Sequence, residues 1–380
     1  MINDIKLIST DVFNLVSSLK ICSRKKDICK AIQIHTEILK QNLLEKSLYI
    51  GNALVSMYAK SGAFGKAQDV FEELPVRNVV TWTALVSGYV QNGHAIEALK
   101  LFNYMQLEGI SPNQLTYVCI LKACGITGDI HKGIKIHEDI VNRGLLEKDV
   151  LLTNALVNMY VKCGALDKAQ AAFDRLPLRN VVTWTTLIKG YADNGLDEEA
   201  FRYFGQMQWE GISPDGLTYI CALRICSKTG AIGRGKQIHN QIINLGLLPK
   251  DLVLGTTLVD MYVKCNLLVQ AQQVLEQLPV RNVISWSTLI AGYVQQRQGL
   301  QALSCYEWMQ NEGICPNIIT LISILKACGK IKAMSLGEKI HDEIIARGIP
   351  MEDDVMLGTA LVDMYVKCGA LAKAQEIIEV

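Results

Sequence analysis

The sequence predicts an all-α chain, an α-solenoid superhelix of stacked antiparallel helix-turn-helix repeats. Three observations predict it. Trp82, Trp184 and Trp286 recur at intervals of 102 residues, and so do His35, His137, His239 and His341. Inside that period, blocks of 35, 36 and 31 residues follow one another in fixed order. Within each block, apolar residues fall at three- and four-residue spacing between Gly, Asn and Pro stops, the pattern of short amphipathic helices.

The elements follow in chain order. Residues 1–11 form a lead; Met1 to Asp11 carries Asp4 and no arginine, and reads as neither a secretory signal nor a transit peptide. Residues 12–47 match the 36-residue type, 48–78 the 31-residue type and 79–113 the 35-residue type. The order then repeats as 114–149, 150–180, 181–215, then 216–251, 252–282, 283–317, then 318–354 and 355–380. The copy at 318–354 holds one extra residue, in the segment PMEDD, and the last copy stops five residues short, at Val380. That apolar ending, with Ile377 and Ile378, reads as a tract cut from a longer protein, since a solenoid normally ends in a polar cap.

Block 79–113 illustrates the hairpin. Thr81 is expected to cap a first helix with apolar residues Trp82, Leu85, Val86, Tyr89 and Val90, ended by Asn92-Gly93. Ala95, Ala98, Leu99, Phe102 and Met105 give the second apolar face, stopped by Gly109 and Pro112. The other turns follow Leu74-Pro75, Leu176-Pro177 and Leu278-Pro279. One hairpin cannot bury both faces alone, so neighbours must stack and enclose a groove.

Composition narrows the function. Lys plus Arg is 38 against 37 for Asp plus Glu, so bulk charge grips no nucleic acid and only a local basic stripe can. No window approaches 18 consecutive apolar residues, so no membrane partner is expected. Twelve cysteines include no Cys-x-x-Cys pair and mostly sit in apolar helical text, as reduced buried thiols do.

The texts VVTWTALVSGY, LKAC with KIH, and NALVNMYVKCGAL resemble the P, L and S motifs of plant pentatricopeptide repeat proteins of the PLS class. The resemblance covers 12–380 and lacks the E and DYW extension of that class. It implies single-stranded RNA as partner, one motif per base, with proteins of an editing complex as further partners. It implies a mitochondrial or chloroplast location and a site-recognition role in C-to-U editing, the catalyst lying elsewhere. No catalytic residue, cofactor or metal is expected in this chain.

In that family the fifth and last residues of a motif choose the base, and the second packs on its plane. Carried over, Asn52 with Asn78 and Asn154 with Asn180 imply pyrimidines. Thr83 with Asn113, Thr256 with Asn282 and Ser287 with Asn317 imply adenine, and Thr185 with Asp215 guanine. Thr359, without its last residue, implies a purine. The L motifs place Val16, Val118, Ile220 and Ile322 at the fifth position, which cannot hydrogen-bond a base edge. The implied target is 5′-nYAnYGnAAnR-3′. Val80, Val182 and Ile284 would sandwich bases, with interhelix packing as the plainer reading. Lys60, Lys162, Lys264 and Lys367 share the thirteenth position of the S motifs and would contact phosphates, or simply favour the helix C-terminus. Asn and Thr at helix starts have a plainer reading too, as caps.

Other chemistry is discounted. Four histidines spread one per three motifs cannot meet at one metal. His35-Thr36-Glu37 matches half of a zinc deaminase signature, but no Pro-Cys-x-x-Cys completes it. The three period tryptophans could stack bases, but their place beside the apolar face favours the core. The alternative function is a helical scaffold for proteins or peptides, which gives no reason for a last-residue column confined to Asn and Asp.

Overall fold

Each short run of apolar residues between stops becomes one helix. The computed structural model describes residues 2–146, 150–176, 179–349 and 355–379, with side chains from residue 12 to residue 378. Pro177 and the segment 350–354, where the extra residue falls, lie outside the described residues. Among the described residues all regular structure is helical. The chain divides into two compact units, Met1–Gly195 and Leu196–Val380.

In the first unit, α1 (Ile2–Lys25), α2 (Ile28–Lys40) and a short α3 (Leu43–Lys46) come first. Then α4 (Leu48–Lys60) pairs with α5 (Phe64–Glu73) and α6 (Val79–Gln91) with α7 (Ala95–Leu107). Next α8 (Gln114–Thr127) pairs with α9 (Ile130–Asn142) and α10 (Val150–Lys162) with α11 (Leu166–Asp174); α12 (Val181–Asp193) follows. The second unit runs from α13 (Asp197–Trp209) to the pairs α14 (Gly216–Thr229) with α15 (Ile232–Asn244) and α16 (Leu252–Lys264) with α17 (Leu268–Gln277). It continues with α18 (Val283–Gln295) and α19 (Gly299–Asn311), α20 (Ile318–Ile331) and α21 (Met334–Ala346), then α22 (Val355–Cys368) and α23 (Leu371–Glu379).

The two helices of a hairpin do different work. In the first unit α4, α6, α8, α10 and α12 pack each on the next, and in the second α14, α16, α18, α20 and α22 do the same. No two second helices make a comparable set of contacts among the described residues. The first-helix layer is therefore the tight side of each unit. Its core is apolar throughout: α6 buries Trp82, Leu85, Val86 and Val90, and α7 buries Ala98, Leu99, Phe102 and Met105. Trp82, Trp184 and Trp286 are all buried, and Phe71 and Phe173 meet the first two edge-on at 4.6 Å.

Close approach of first helices needs small residues. A Cβ on Gly88 would lie 2.3 Å from Ala59 Cβ and 2.7 Å from its carbonyl carbon. Gly190 and Gly292 hold the same place against Val161 and Val263. The mid-helix Gly205 of α13, by contrast, has open space beside it.

The histidine column joins each second helix to the next first helix. His35 Nδ1 lies 3.2 Å from the Tyr58 hydroxyl, His137 2.8 Å from Tyr160, His239 2.8 Å from Tyr262 and His341 2.9 Å from Tyr365. Burial lowers the pKa of all four imidazoles and pushes the Tyr58 and Tyr160 phenols up to about 12. The neutral ring shares one hydrogen bond with the phenol, in a direction set by its tautomer, and protonation places a charge in this partly buried site.

Two outcomes are expected. Gly88→Ala should destabilise the chain by about 1–3 kcal/mol through overpacking, while Gly205→Ala should stabilise it by about 0.5–1 kcal/mol; urea unfolding of both variants checks the contrast. Because the histidine pKa values are lower folded than unfolded, stability should be level above the ordinary value near 6.5 and fall as pH drops below it. Thermal unfolding between pH 8 and pH 5 reads this, and replacing all four histidines by Gln should flatten that fall.

Candidate nucleic-acid interface

The last residue of six blocks has a structural duty first. Asn78, Asn113, Asn180, Asp215, Asn282 and Asn317 are the N-caps of α6, α8, α12, α14, α18 and α20. Thr81 is therefore not the cap of its helix: α6 starts two residues before it, and Thr81 is the third helical residue. Each cap oxygen Oδ1 accepts the backbone N–H three residues on, at 3.0 Å from Thr81, 2.8 Å from Thr116, 3.0 Å from Thr183, 2.8 Å from Thr218, 2.8 Å from Ser285 and 2.9 Å from Thr320. That bond also fixes which way the amides point, since only the oxygen can accept. Each asparagine keeps its Nδ2 donors, and Asp215 keeps Oδ2 as an acceptor. Capping thus occupies one atom of each side chain and leaves the other polar atom unused.

A hydroxyl couples the paired columns. Thr81 Oγ1 donates toward Asn52 Oδ1 at 2.7 Å and lies 3.0 Å from Asn78 Oδ1. Thr83 Oγ1 lies 2.7 Å from Thr116 Oγ1, which donates to Asn113 Oδ1 at 2.9 Å. Ser287 Oγ lies 2.6 Å from Thr320 Oγ1, which donates to Asn317 Oδ1 at 2.8 Å. The sequence reading gives Thr81 the role of a cap and does not reach Thr116 or Thr320, although a hydroxyl three residues after a capping Asn is a visible signal.

The fifth residues differ in exposure. Thr83, Thr185 and Ser287 are buried, with their hydroxyl oxygens 2.6, 2.7 and 2.5 Å from the carbonyl oxygens of Val79, Val181 and Val283. Asn52, Asn154 and Thr256 are half-buried, and Thr359 is exposed. Asn154 Oδ1 is buried without a hydrogen-bond partner. Thr256 and Thr359 donate to Leu252 and Val355 carbonyls. Thr185 belongs to the first unit and Asp215 to the second. Of the aliphatic fifth residues, Val16 and Val118 are half-buried and Ile220 and Ile322 buried.

Val80, Val182 and Ile284 are 49%, 53% and 58% exposed, which removes interhelix packing as their role. The same second position exposes Phe13, Tyr49, Leu115, Leu151, Leu217, Val253, Ile319 and Met356 by half or more. Sequence reading had singled out only the three P motifs, yet an apolar second residue stands in every block. In the first unit a cleft of about 720 Å³ brings Asn52, Asn78, Val80, Lys60, Lys20 and Val16 to one wall. The lysine column divides: Lys264 pairs with Asp260 at 2.9 Å and Lys367 with Asp363 at 2.6 Å, whereas Lys60 and Lys162 meet no carboxylate among the described residues.

Comparisons with known proteins agree on one family. A model described as the PPR repeat family matches residues 77–126, 179–228 and 281–330, and one described as the PPR repeat matches 52–79, 115–145 and 153–181. A putative pentatricopeptide repeat-containing protein of Arabidopsis thaliana is 35% identical over 96% of this chain and 52% of its own. A chloroplastic relative from the same plant is 34% identical over 96% of this chain and 58% of its own, and a mitochondrial one 35% identical over 97% and 66%. The chain thus spans roughly half to two thirds of these relatives' lengths. Among solved structures, the pentatricopeptide repeat protein PPR10 in complex with an 18-nt psaJ RNA element shares the fold, with a TM-score of 0.63 and 20% identity over 82% of this chain and 46% of that one.

The hydroxyl bridge has a measurable weight. Thr320→Val should cost about 0.5–1.5 kcal/mol through the loss of one buried hydroxyl bridge, since Asn317 keeps the Thr320 amide and Ser287 the Val283 carbonyl, whereas Thr320→Ser should restore most of it; chemical denaturation of the three chains decides.

Proposed function

The chain belongs to the pentatricopeptide repeat family, and on that premise we propose that it binds single-stranded RNA one base per motif, in P, L and S order. The observation that carries this reading is the coupled pair of columns: a capping side chain with atoms left over, tied through one hydroxyl to the fifth residue. Such an arrangement holds a donor or acceptor at fixed height on each first helix. Asparagine presents N–H donors, which suit the acceptors on pyrimidine and adenine edges. Asp215 presents an oxygen, which suits the N–H donors of guanine. A wrong base would leave a desolvated polar group unpaired, at about 1–3 kcal/mol.

The exposed second residues would pack on base planes, and this reading extends the sandwich from Val80, Val182 and Ile284 to every motif. Lys60 and Lys162 would meet phosphates, and Lys264 and Lys367 would do so only by sharing or releasing their aspartates. The target remains 5′-nYAnYGnAAnR-3′, with the guanine assigned to Asp215. Relatives named chloroplastic and mitochondrial, and the PPR10 complex with an RNA element, support an organellar RNA-binding role. Site recognition in C-to-U editing is the specific role proposed, with the chemistry supplied by another domain or protein.

A gel-shift titration at fixed salt tests it. The probe UCAUCGUAAUA should bind at least tenfold tighter, about 1.4 kcal/mol, than a control exchanging A for G at the Thr83/Asn113 and Ser287/Asn317 bases and G for A at the Asp215 base. Equal binding would break the base assignments while keeping RNA. Absence of binding to both would shift the weight to a protein scaffold.

A further inference from the structure

A helix turns about 100° per residue, so residues seven and eleven places apart lie within roughly 20° of one line along its axis. The second residue of each block is exposed. Seven places after it in the 36-residue blocks stand Lys20, Lys122, Arg224 and Lys326, all exposed and all cationic. Eleven places after it in the 31-residue blocks stand Lys60, Lys162, Lys264 and Lys367. Cations therefore stand on the base-stacking line of every L and S motif, one set nearer its start and one nearer its end.

Side-chain placement supports the alignment. Lys20 and Lys60 line the same cleft as Asn52, Asn78 and Val80. The ninth residue of the S motifs then decides how much charge is left. It is Ser56 and Asn158 in the first unit but Asp260 and Asp363 in the second, where each aspartate holds the lysine one turn on. Lys20, Lys122, Arg224 and Lys326 meet no carboxylate among the described residues.

We infer that Lys20, Lys122, Arg224 and Lys326 form a second set of contacts to the RNA phosphodiester backbone, and that Asp260 and Asp363 weaken the grip of the second unit. The inference rests on the RNA-binding reading above and adds the residues that supply sequence-independent affinity. The base-poor L motifs become backbone holders: an aliphatic fifth residue gives up base choice, and a cation one turn on contributes affinity at any base. The first unit carries four unneutralised cations on the line and the second two.

The test uses the whole 380-residue chain and fluorescence anisotropy with the two probes above, at several salt concentrations. Six unneutralised cations predict a log–log salt slope of about −4, at about −0.7 for each phosphate neutralised. Changing Lys20, Lys122, Arg224 and Lys326 together to Gln should bring the slope to about −1.4 and weaken both probes alike, with their affinity ratio unchanged. Asp260→Asn with Asp363→Asn should act oppositely, steepening the slope by about 1.4 and tightening both probes. Gln and Asn keep the helices, and far-UV circular dichroism checks that; should the fourfold variant fold poorly, the aspartate pair decides alone. A salt slope unmoved in either folded variant overturns the inference. A shift in the ratio between probes overturns it too, because it would make these residues base readers. Failure of the unaltered chain to bind any RNA overturns instead the reading beneath.

Discussion

One hydrogen bond, repeated along the chain, sets the frame for the rest. The side-chain oxygen of the last residue in a block accepts the amide three residues into the next first helix. An N-cap of this kind is worth about 1 kcal/mol, little beside the apolar burial of the hairpins. Its effect is positional. In those six helices it fixes the residue at which the helix starts, and so fixes which later positions face solvent, the neighbouring helix or the cleft. A start shifted by one residue would rotate every side chain of that helix by about 100° and scatter the columns.

Packing then holds the frame rigid. First helices touch at glycine, where Gly88 admits Ala59 to within backbone distance. Second helices reach back to the next first helix through the histidine–tyrosine pairs, which satisfy two half-buried polar groups with one bond. Three sulfur neighbourhoods repeat as well: Cys163, Cys265 and Cys368 each lean on a methionine one turn back and on the carbonyl of Cys124, Cys226 or Cys328. Burial raises the pKa of these thiols, which makes them inert packing groups.

Much of this was legible in the chain. The periods announce the helices because every hairpin needs the same apolar face and the same stops, and the all-helical array follows from stacking. The capping Asn and the reading Asn could not be told apart in the sequence, because both tasks want a short polar side chain at a helix start. The structure shows the cap and the polar atoms it leaves over, and these leave room for the proposed second task. The burial of Thr83 and Ser287 was hidden for another reason: it depends on Thr116 and Thr320 from the following helix. The division between Gly195 and Leu196 falls at an Asn-Gly turn like that of Asn92-Gly93, so nothing in the sequence sets it apart from the other hairpins. The pairing of Asp260 with Lys264 was readable from four-residue spacing, and its consequence was not, since a salt bridge matters here for the charge it hides.

The double use of the cap has a further consequence, for inheritance. Asn and Asp are equally good N-caps, and a single nucleotide change in a codon converts one into the other. Converting Asn113 to Asp would leave the cap oxygen and the start of α8 in place while turning the spare donors into an acceptor. On the proposed reading, the chain's preferred partner sequence can therefore drift one letter at a time without crossing an unstable intermediate. Most recognition surfaces are built from side chains that also pack, and they change meaning only by risking the fold. On that reading, the atom that keeps the fold and the atom that would carry the message are separate in this array, so a lineage could revise the message and keep the scaffold.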